Sequence, residues 1–454
     1  MTRQKVTLAR LVAYDALTLA AEEGVAPTEA VERLAVERPA LKNLDRRFIK
    51  ELVWGSLRWY SKMLWILNHT AERDLKEAAP EIRTALIMGT YQIFYMDRVP
   101  DRAAVSQSVE YIRQKGLHQA VGFVNGILRS IARRSKYFQK PDKDAEPVAY
   151  LALQFATPPW IVARWHKKYG YEKCQEILQG INKPSPVCLR VNSLKTPEAD
   201  VRALQTRLLK ECQVKTRARP HTFCLSSDFM PSVQESVFKE GYITIQGEAS
   251  QVVSSLVDPA AEEVIYDVCC GPGGKTLGIY EASLAKATVI GMDQSKNAIE
   301  RAQENADRLG HPVQFECQNF MEWRPEGRCD KILLDAPCSG LGVLQKHPEG
   351  KLHKTETFLM DMANQQREMI THALDVLPSG GKLIYSVCSF EPEESEEHLA
   401  WIKKTYSGKI EVETPIRFLP NYYKKFVTRD NIFLVQAGHK EGMDGFAAFV
   451  VKKL

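Results

Sequence analysis

The sequence predicts a multidomain protein: an all-α N-terminal domain, a small α+β subdomain, and a C-terminal α/β domain with a doubly wound, mostly parallel sheet. Three observations predict it. At 454 residues the chain exceeds what one core usually supports. Apolar residues recur at helical spacing through the first ~135 positions. Beyond Gly241, short apolar runs alternate with helical patterns, the signature of strand–helix–strand units. The expected domains are 1–140, 141–240 and 241–454.

Taken in order, the N-terminal pattern shows in Leu8, Leu11, Val12, Ala16 and Leu19, and again in Phe48, Leu52, Val53, Leu57 and Leu64. A late helix is expected over 119–134, with Val121, Val124, Leu128 and Ile131 on one face and arginines on another. Lys140-Pro141-Asp142-Lys143-Asp144-Ala145-Glu146-Pro147 has the composition of a linker. Residues 187–192 read as a strand and 197–209 as a helix. Further strands are expected at 264–268, 288–292, 312–316, 331–334 and 382–386, separated by helices such as 295–309 and 358–377. Two late runs, 432–435 and 446–451, are expected to pair as an antiparallel edge.

The formal net charge of +5 is unevenly spread: residues 1–140 hold 23 Lys+Arg against 15 Asp+Glu. No acidic residue lies between Tyr111 and Gln139, where Arg113, Lys115, Arg129, Arg133, Arg134 and Lys136 fall. Such a stretch suits a polyanion, since neutralised phosphates release counterions; a solvated helix face explains it equally well. All ten cysteines follow residue 173 at irregular spacings, behind no secretory leader or membrane-length apolar run. A cytoplasmic protein with free thiols is expected, and no zinc-type spacing points to a metal.

Asp267-Val268-Cys269-Cys270-Gly271-Pro272-Gly273-Gly274-Lys275-Thr276 reads as a strand end turning through glycines into a helix. A phosphate loop would need glycine where Cys269 stands, and the dinucleotide fingerprint is not satisfied. S-adenosyl-L-methionine fits better, because Asp293 ends the next strand, where a carboxylate can accept ribose hydroxyls. The competing reading makes Asp293 a helix N-cap before 295–309, and one carboxylate can serve both roles.

Two cysteines follow later strands: Cys338 in Asp335-Ala336-Pro337-Cys338-Ser339-Gly340, and Cys388 in Tyr385-Ser386-Val387-Cys388-Ser389. Parallel strand order places both near the cofactor crevice. Carbon 5 of cytosine is a poor nucleophile until something adds to carbon 6, and a thiolate suits that addition. A lone cysteine is more often a small buried hydrophobe, the role expected for Cys174, Cys188, Cys212, Cys224, Cys317 and Cys329. Spacing alone leaves open which of the pair is the nucleophile.

These residues resemble the RNA cytosine-5 methyltransferases of the Nol1/Nop2/Sun family over nearly the whole chain. Residues 267–276, 335–342 and 386–389 with Pro392-Glu393-Glu394 match its signature motifs; Arg190-Val191-Asn192, Gln246 with Glu248-Ala249-Ser250, and Asp444-Gly445-Phe446 match accessory ones. Asp45-Arg46-Arg47-Phe48 to Gly55, Tyr91-Gln92, Asp97-Arg98-Val99-Pro100, Ala103-Ala104-Val105 and Phe123-Val124-Asn125 look like a NusB-like RNA-binding domain. The resemblance implies a class I methyltransferase of Rossmann-like fold, acting as a monomer on 16S ribosomal RNA or a small-subunit precursor.

Cys388 would then be the nucleophile, and Cys338 would assist product release. Cys269, Cys270, Gly271, Pro272, Gly273, Gly274, Lys275, Asp293 and Asp335 would contact S-adenosylmethionine, Asp335 also meeting the cytosine edge. Lys275 either serves the site or is a solvated lysine at a helix start. Several positions depart from the family pattern: Cys270-Gly271 replaces two alanines, Gly247 an aspartate and Val387 a threonine. Asn319 replaces the aspartate that meets the adenine amine, though an amide oxygen still accepts that bond. The alternatives are an RNA-binding assembly or antitermination-type factor without activity, and the same methylation on tRNA.

Overall fold

Helical spacing in the N-terminal third becomes α1 (Leu8–Glu22), α2 (Pro27–Val36), α3 (Asn43–Arg58), α4 (Tyr60–Ala71), α5 (Pro80–Tyr95), α6 (Asp101–Gln114) and α7 (Val121–Arg134), followed by α8 (Pro147–Gln154) and α9 (Pro159–Ile181). Proline opens α2, α5, α8 and α9, where its missing N–H has no helical partner to lose. This computed structural model describes residues 5–38, 40–71, 74–134, 138, 140–197, 200–201, 203–204, 206, 214–216, 222–225, 237–439 and 442–454.

The chain divides into two units, Met1–Asn182 with His347–Lys354, and Lys183–Lys346 with Thr355–Leu454. In the first, Val124, Leu128 and Ile131 of α7 are fully buried while Arg129 and Arg133 are exposed. The Arg134 side chain and Lys136 lie outside the described residues. Gly55 of α3 permits a close approach: a Cβ there would collide with the Tyr91 ring of α5. Helices α8 and α9 belong to this unit, as do the eight residues His347–Lys354. In that segment Lys351 Nζ donates to Asn182 Oδ1 at 2.7 Å and lies 3.3 Å from Phe155 O.

The second unit holds two sheets. The smaller is antiparallel, in the order β2 (Val214–Thr216), β3 (Thr222–Leu225), β1 (Val187–Val191), β4 (Ile243–Ile245). Helix α10 (Glu248–Leu256) leads from it to the larger sheet. There β7 (Gln314–Cys317), β6 (Thr288–Asp293), β5 (Val264–Asp267), β8 (Lys331–Asp335) and β9 (Lys382–Val387) run parallel. Helices α11 (Gly274–Ala282), α12 (Lys296–Leu309), α13 (Glu356–Val376) and α14 (Glu396–Thr405) connect the strands. The order reverses at β5, so a crevice opens above the carboxyl ends of β5 and β8.

Three expectations are corrected. The late run β12 (Phe446–Lys453) does pair with β11 (Phe433–Val435), but it is no edge: it lies between β9 and β10 (Ile410–Glu413). Its six successive buried residues, Phe446 to Val451, fit a strand covered on both faces. Cys188 and Cys224 are not free thiols; they stand opposite each other on β1 and β3 and form a disulfide. Among the described residues these two sulfurs and Glu248 make up the metal-type cluster within 4.8 Å, and the bridge occupies both sulfurs. Cys317 is exposed rather than buried, while Cys174 and Cys329 are buried. The expected helix over 197–209 lies largely outside the described residues, as does Cys212.

Candidate active site

Strand β5 ends in Asp267, and the chain then turns through residues 268–273 into α11. Gly271 (φ 53°) and Gly273 (φ 79°) adopt left-handed conformations that side chains rarely take. The turn is tied down at both ends. Val268 N donates to Leu333 O, Cys270 N to Met292 O, and Gly271 N to Asp293 Oδ2 at 3.0 Å. Asp293 Oδ1 accepts from Ser295 N at 2.9 Å, while the N-cap of α12 is Ser295, whose hydroxyl accepts from Ala298 N. The N-cap alternative for Asp293 is therefore overturned: its carboxylate shapes the glycine turn.

Beside this turn is a cavity of about 120 Å³, lined by Val268, Cys269, Asp293, Asn319, Phe320 and Met369 among others. Asn319 Oδ1 caps the next short helix through Met321 N at 3.1 Å, and Nδ2 donates to Glu322. Pro272 is exposed and Cys270 is buried, its thiol pushed up by burial first and by the Asp267 and Asp293 carboxylates second. Burial also raises the Asp267 carboxyl to about 7; Thr276 Oγ1 donates to it at 2.7 Å.

A second cluster sits where β8 and β9 end. These strands pair in parallel with Asp335 opposite Ser386, so the segments just beyond them meet. Cys338 Sγ lies 3.0 Å from Cys388 Sγ. Lys275 Nζ binds Asp335 Oδ2 directly, and Ser386 Oγ donates to Asp335 Oδ1 at 2.6 Å. The Lys275 side chain is only 13% exposed and stands over the Phe446 ring, which is not the setting of a solvated lysine.

The fold thus brings Cys388, Cys338, Asp335 and Lys275 into one cluster and Cys269, Asp293 and Asn319 around the neighbouring cavity, whereas Cys270, Gly271, Pro272, Gly273 and Gly274 are not among its lining residues. Sequence reasoning did not single out Gln366, and it named Ser386, Glu394 and Phe446 only as motif members, with no role assigned. Those three carried a local signal through their motifs; Gln366, within a long helix, carried none.

Comparison with known proteins agrees with this architecture. Residues 254–448 match the family described as 16S rRNA methyltransferase RsmB/F, residues 4–133 the NusB family, and residues 157–225 an RsmF/B-like ferredoxin-like domain. The chain is 29% identical to "Probable ribosomal RNA small subunit methyltransferase B" of Bacillus subtilis (strain 168), across 99% of both chains. It is 30% identical to ribosomal RNA small subunit methyltransferase B of Escherichia coli O6:K15:H31, covering 85% of this chain and 91% of the relative. A solved methyltransferase homologue from Pyrococcus horikoshii superposes with a TM-score of 0.56 and 26% identity, over 68% of this chain and 99% of that one. The chain belongs to the ribosomal RNA small subunit methyltransferase B family and is a ribosomal RNA methyltransferase.

Proposed function

We propose that the chain transfers a methyl group from S-adenosyl-L-methionine to carbon 5 of one cytosine in 16S ribosomal RNA, through a covalent cysteine–cytosine intermediate. The carrying observation is the pair of thiols 3.0 Å apart at the ends of adjacent parallel strands. An RNA site is read only when the base leaves its stack, so a looped or flipped cytosine is the expected substrate.

The residues around the cavity fit the cofactor. Gly271 leaves backbone open to close approach, and each Asp293 oxygen uses one acceptor site, on Gly271 N or Ser295 N, keeping another for a ribose hydroxyl. Asn319 Oδ1 likewise keeps a lone pair for the adenine amine. When bound, S-adenosylmethionine supplies an electrophilic methyl group and leaves as the thioether.

Cys388 Sγ adds to carbon 6, and the displaced electron pair makes carbon 5 nucleophilic. Burial works against the Lys275 ammonium, but Asp335, Asp267 and Cys388 outweigh it and raise its pKa. A charged Lys275 donates toward the ring edge where negative charge builds. Asp335, fixed by Lys275 on one oxygen and Ser386 on the other, accepts from the exocyclic amine.

Cys338 has the complementary task. Its hydrogen bond to Cys388, its burial and the charges of Cys388 and Glu394 push its pKa well up, so it stays a thiol. Once a base, such as solvent water, has taken the carbon 5 proton, the C–H electron pair re-forms the carbon 5–carbon 6 double bond, the carbon 6–sulfur bond breaks and its electron pair leaves on Cys388 as thiolate. The Cys338 S–H stands 3.0 Å away to stabilise that departing sulfur.

Radiolabelled S-adenosylmethionine and unmodified 16S RNA, incubated with wild type or Cys388→Ser, test this reading. Label on one cytosine, lost in the variant, is expected. Label retained by Cys388→Ser would reassign the nucleophile, and label on a base other than cytosine would overturn the reaction.

A further inference from the structure

Cys338 is gripped through the residues on both sides of it by a buried polar cluster. Glu394, fully buried, accepts the Ser339 backbone N–H at 2.6 Å on Oε1 and the Ser339 hydroxyl at 2.6 Å on Oε2. Gln366 Nε2 donates to Pro337 O at 2.7 Å and to Glu394 Oε1 at 3.1 Å. The orientation of Gln366 is itself imposed. Its Oε1 lies 2.9 Å from both the Tyr385 hydroxyl and His398 Nε2. Burial, with Arg367 adding to it, lowers the His398 pKa to about 3, so the ring is neutral and Nε2–H is its donor.

The placement of Glu394 is telling. It follows Cys388 by six residues, in the turn Pro392–Glu394, yet bonds the residue after Cys338. One carboxylate thereby joins the segment beyond one thiol to the segment carrying the other. An apolar side chain there would be cheaper to desolvate but would strand the Ser339 N–H, the Ser339 O–H and a Gln366 N–H without an acceptor. What it adds is direction: two oxygens accept from an N–H and an O–H on one residue, an arrangement an amide cannot reproduce.

We propose that Glu394, oriented together with Gln366, is a positioning residue that sets Cys338 against Cys388. Neither touches the reacting atoms. The functional consequence rests on the assignment of Cys338 to product release, but the positioning itself can be measured without catalysis.

The test uses full-length Glu394→Gln and Ser339→Ala, with far-UV circular dichroism and cofactor calorimetry as checks of folding. Limiting hydrogen peroxide converts one thiol to sulfenic acid and water; the second thiol displaces a further water to form the disulfide. The rate at which the Cys338–Cys388 peptide appears reports how well the sulfurs are juxtaposed. It should fall by on the order of tenfold or more in Glu394→Gln, and by less in Ser339→Ala, which removes the hydroxyl with its contacts to Glu394, Ser389 and Leu341 but keeps the backbone N–H on Glu394. An unchanged rate in both folded variants overturns the proposal.

A second readout addresses consequence. Turnover with unmodified 16S RNA should leave Glu394→Gln carrying a denaturant-resistant RNA adduct, as Cys338→Ala does, with kcat reduced and the cofactor KM unmoved. Should Cys338→Ala trap nothing, the release role fails while the bridge-forming rate still decides the positioning. Should Cys338→Ala trap adduct and Glu394→Gln turn over normally, the positioning claim fails by itself.

Discussion

Arg190 offers the sharpest quantitative test of how the second unit holds its glycine turn. It lies on β1, 6% exposed, and its guanidinium meets Glu281 of α11 through two bonds of 3.0 and 3.1 Å. The same group donates to Gly274 O at 2.6 Å and to Gln246 Oε1. Gly278 leaves the room: a Cβ there would stand 2.7 Å from the guanidinium. Burial would raise the Glu281 carboxyl, yet Arg190 and His311 outweigh it and hold its pKa below the usual range. Arg190→Met removes one partner of a buried pair and leaves the other charge uncompensated, a loss of about 3–5 kcal/mol. For a unit of this size that is a fall of roughly 6–20 °C in Tm. Arg190→Met/Glu281→Leu, which removes both charges, should recover most of it.

The sign with pH follows from the depressed Glu281 pKa. Its stabilisation is present above the unfolded carboxyl value of about 4.3 and is lost as pH falls through the lower folded value. In Arg190→Met burial prevails, the carboxyl rises, and this group's contribution is instead lost as pH climbs toward neutrality. Calorimetric scans between pH 4 and 8 measure both effects. A loss under about 1 kcal/mol in Arg190→Met, or a double variant as damaged as the two singles added, would refute the buried-pair argument. Because Gly274 also loses its donor, the S-adenosylmethionine KM should rise in the variant.

Two further outcomes are expected. His398 has a folded pKa near 3 against about 6.5 unfolded, so its neutral form contributes stability fully above pH 6.5 and loses it as pH falls. At pH 5 the loss is about 2 kcal/mol, and His398→Gln should flatten that acid limb in urea titrations. Gly273→Ala meets a left-handed φ of 79° and places its Cβ 3.1 Å from Ala302 Cβ. It should cost on the order of 1–2 kcal/mol and raise the cofactor KM more than it lowers kcat, read from initial rates.

Much of the second unit was legible because its information is local. Each parallel strand is a short apolar run ending at a polar or glycine-rich turn, and Asp267, Asp293, Asp335 and Cys388 all mark such ends. The parallel register then does the rest, since Asp335 opposite Ser386 places both thiols together. What escaped depends on partners far apart in sequence. Nothing near Cys188 announces Cys224, because their bridge requires the β1–β3 register, and irregular spacing suggested free thiols instead. Apolar runs announced β11 and β12 but not that β12 enters between β9 and β10.

The same limit explains why Glu394 was seen only as part of a Pro-Glu-Glu motif. A glutamate on a turn is ordinarily solvated, and only the fold shows it fully buried against Ser339, 55 residues away. Periodicity assigns residues to faces; it cannot assign a carboxylate to its donors. The parallel register brings the two legible cysteines to one place, and that illegible cluster fastens the residues before and after Cys338 there. The chemistry of the site is therefore written in its short motifs, and its geometry in buried polar contacts between distant segments. Substitutions in the second class should leave both cysteines and the glycine turn intact and the protein folded while separating cofactor binding from turnover, which a motif-based reading alone would not foresee.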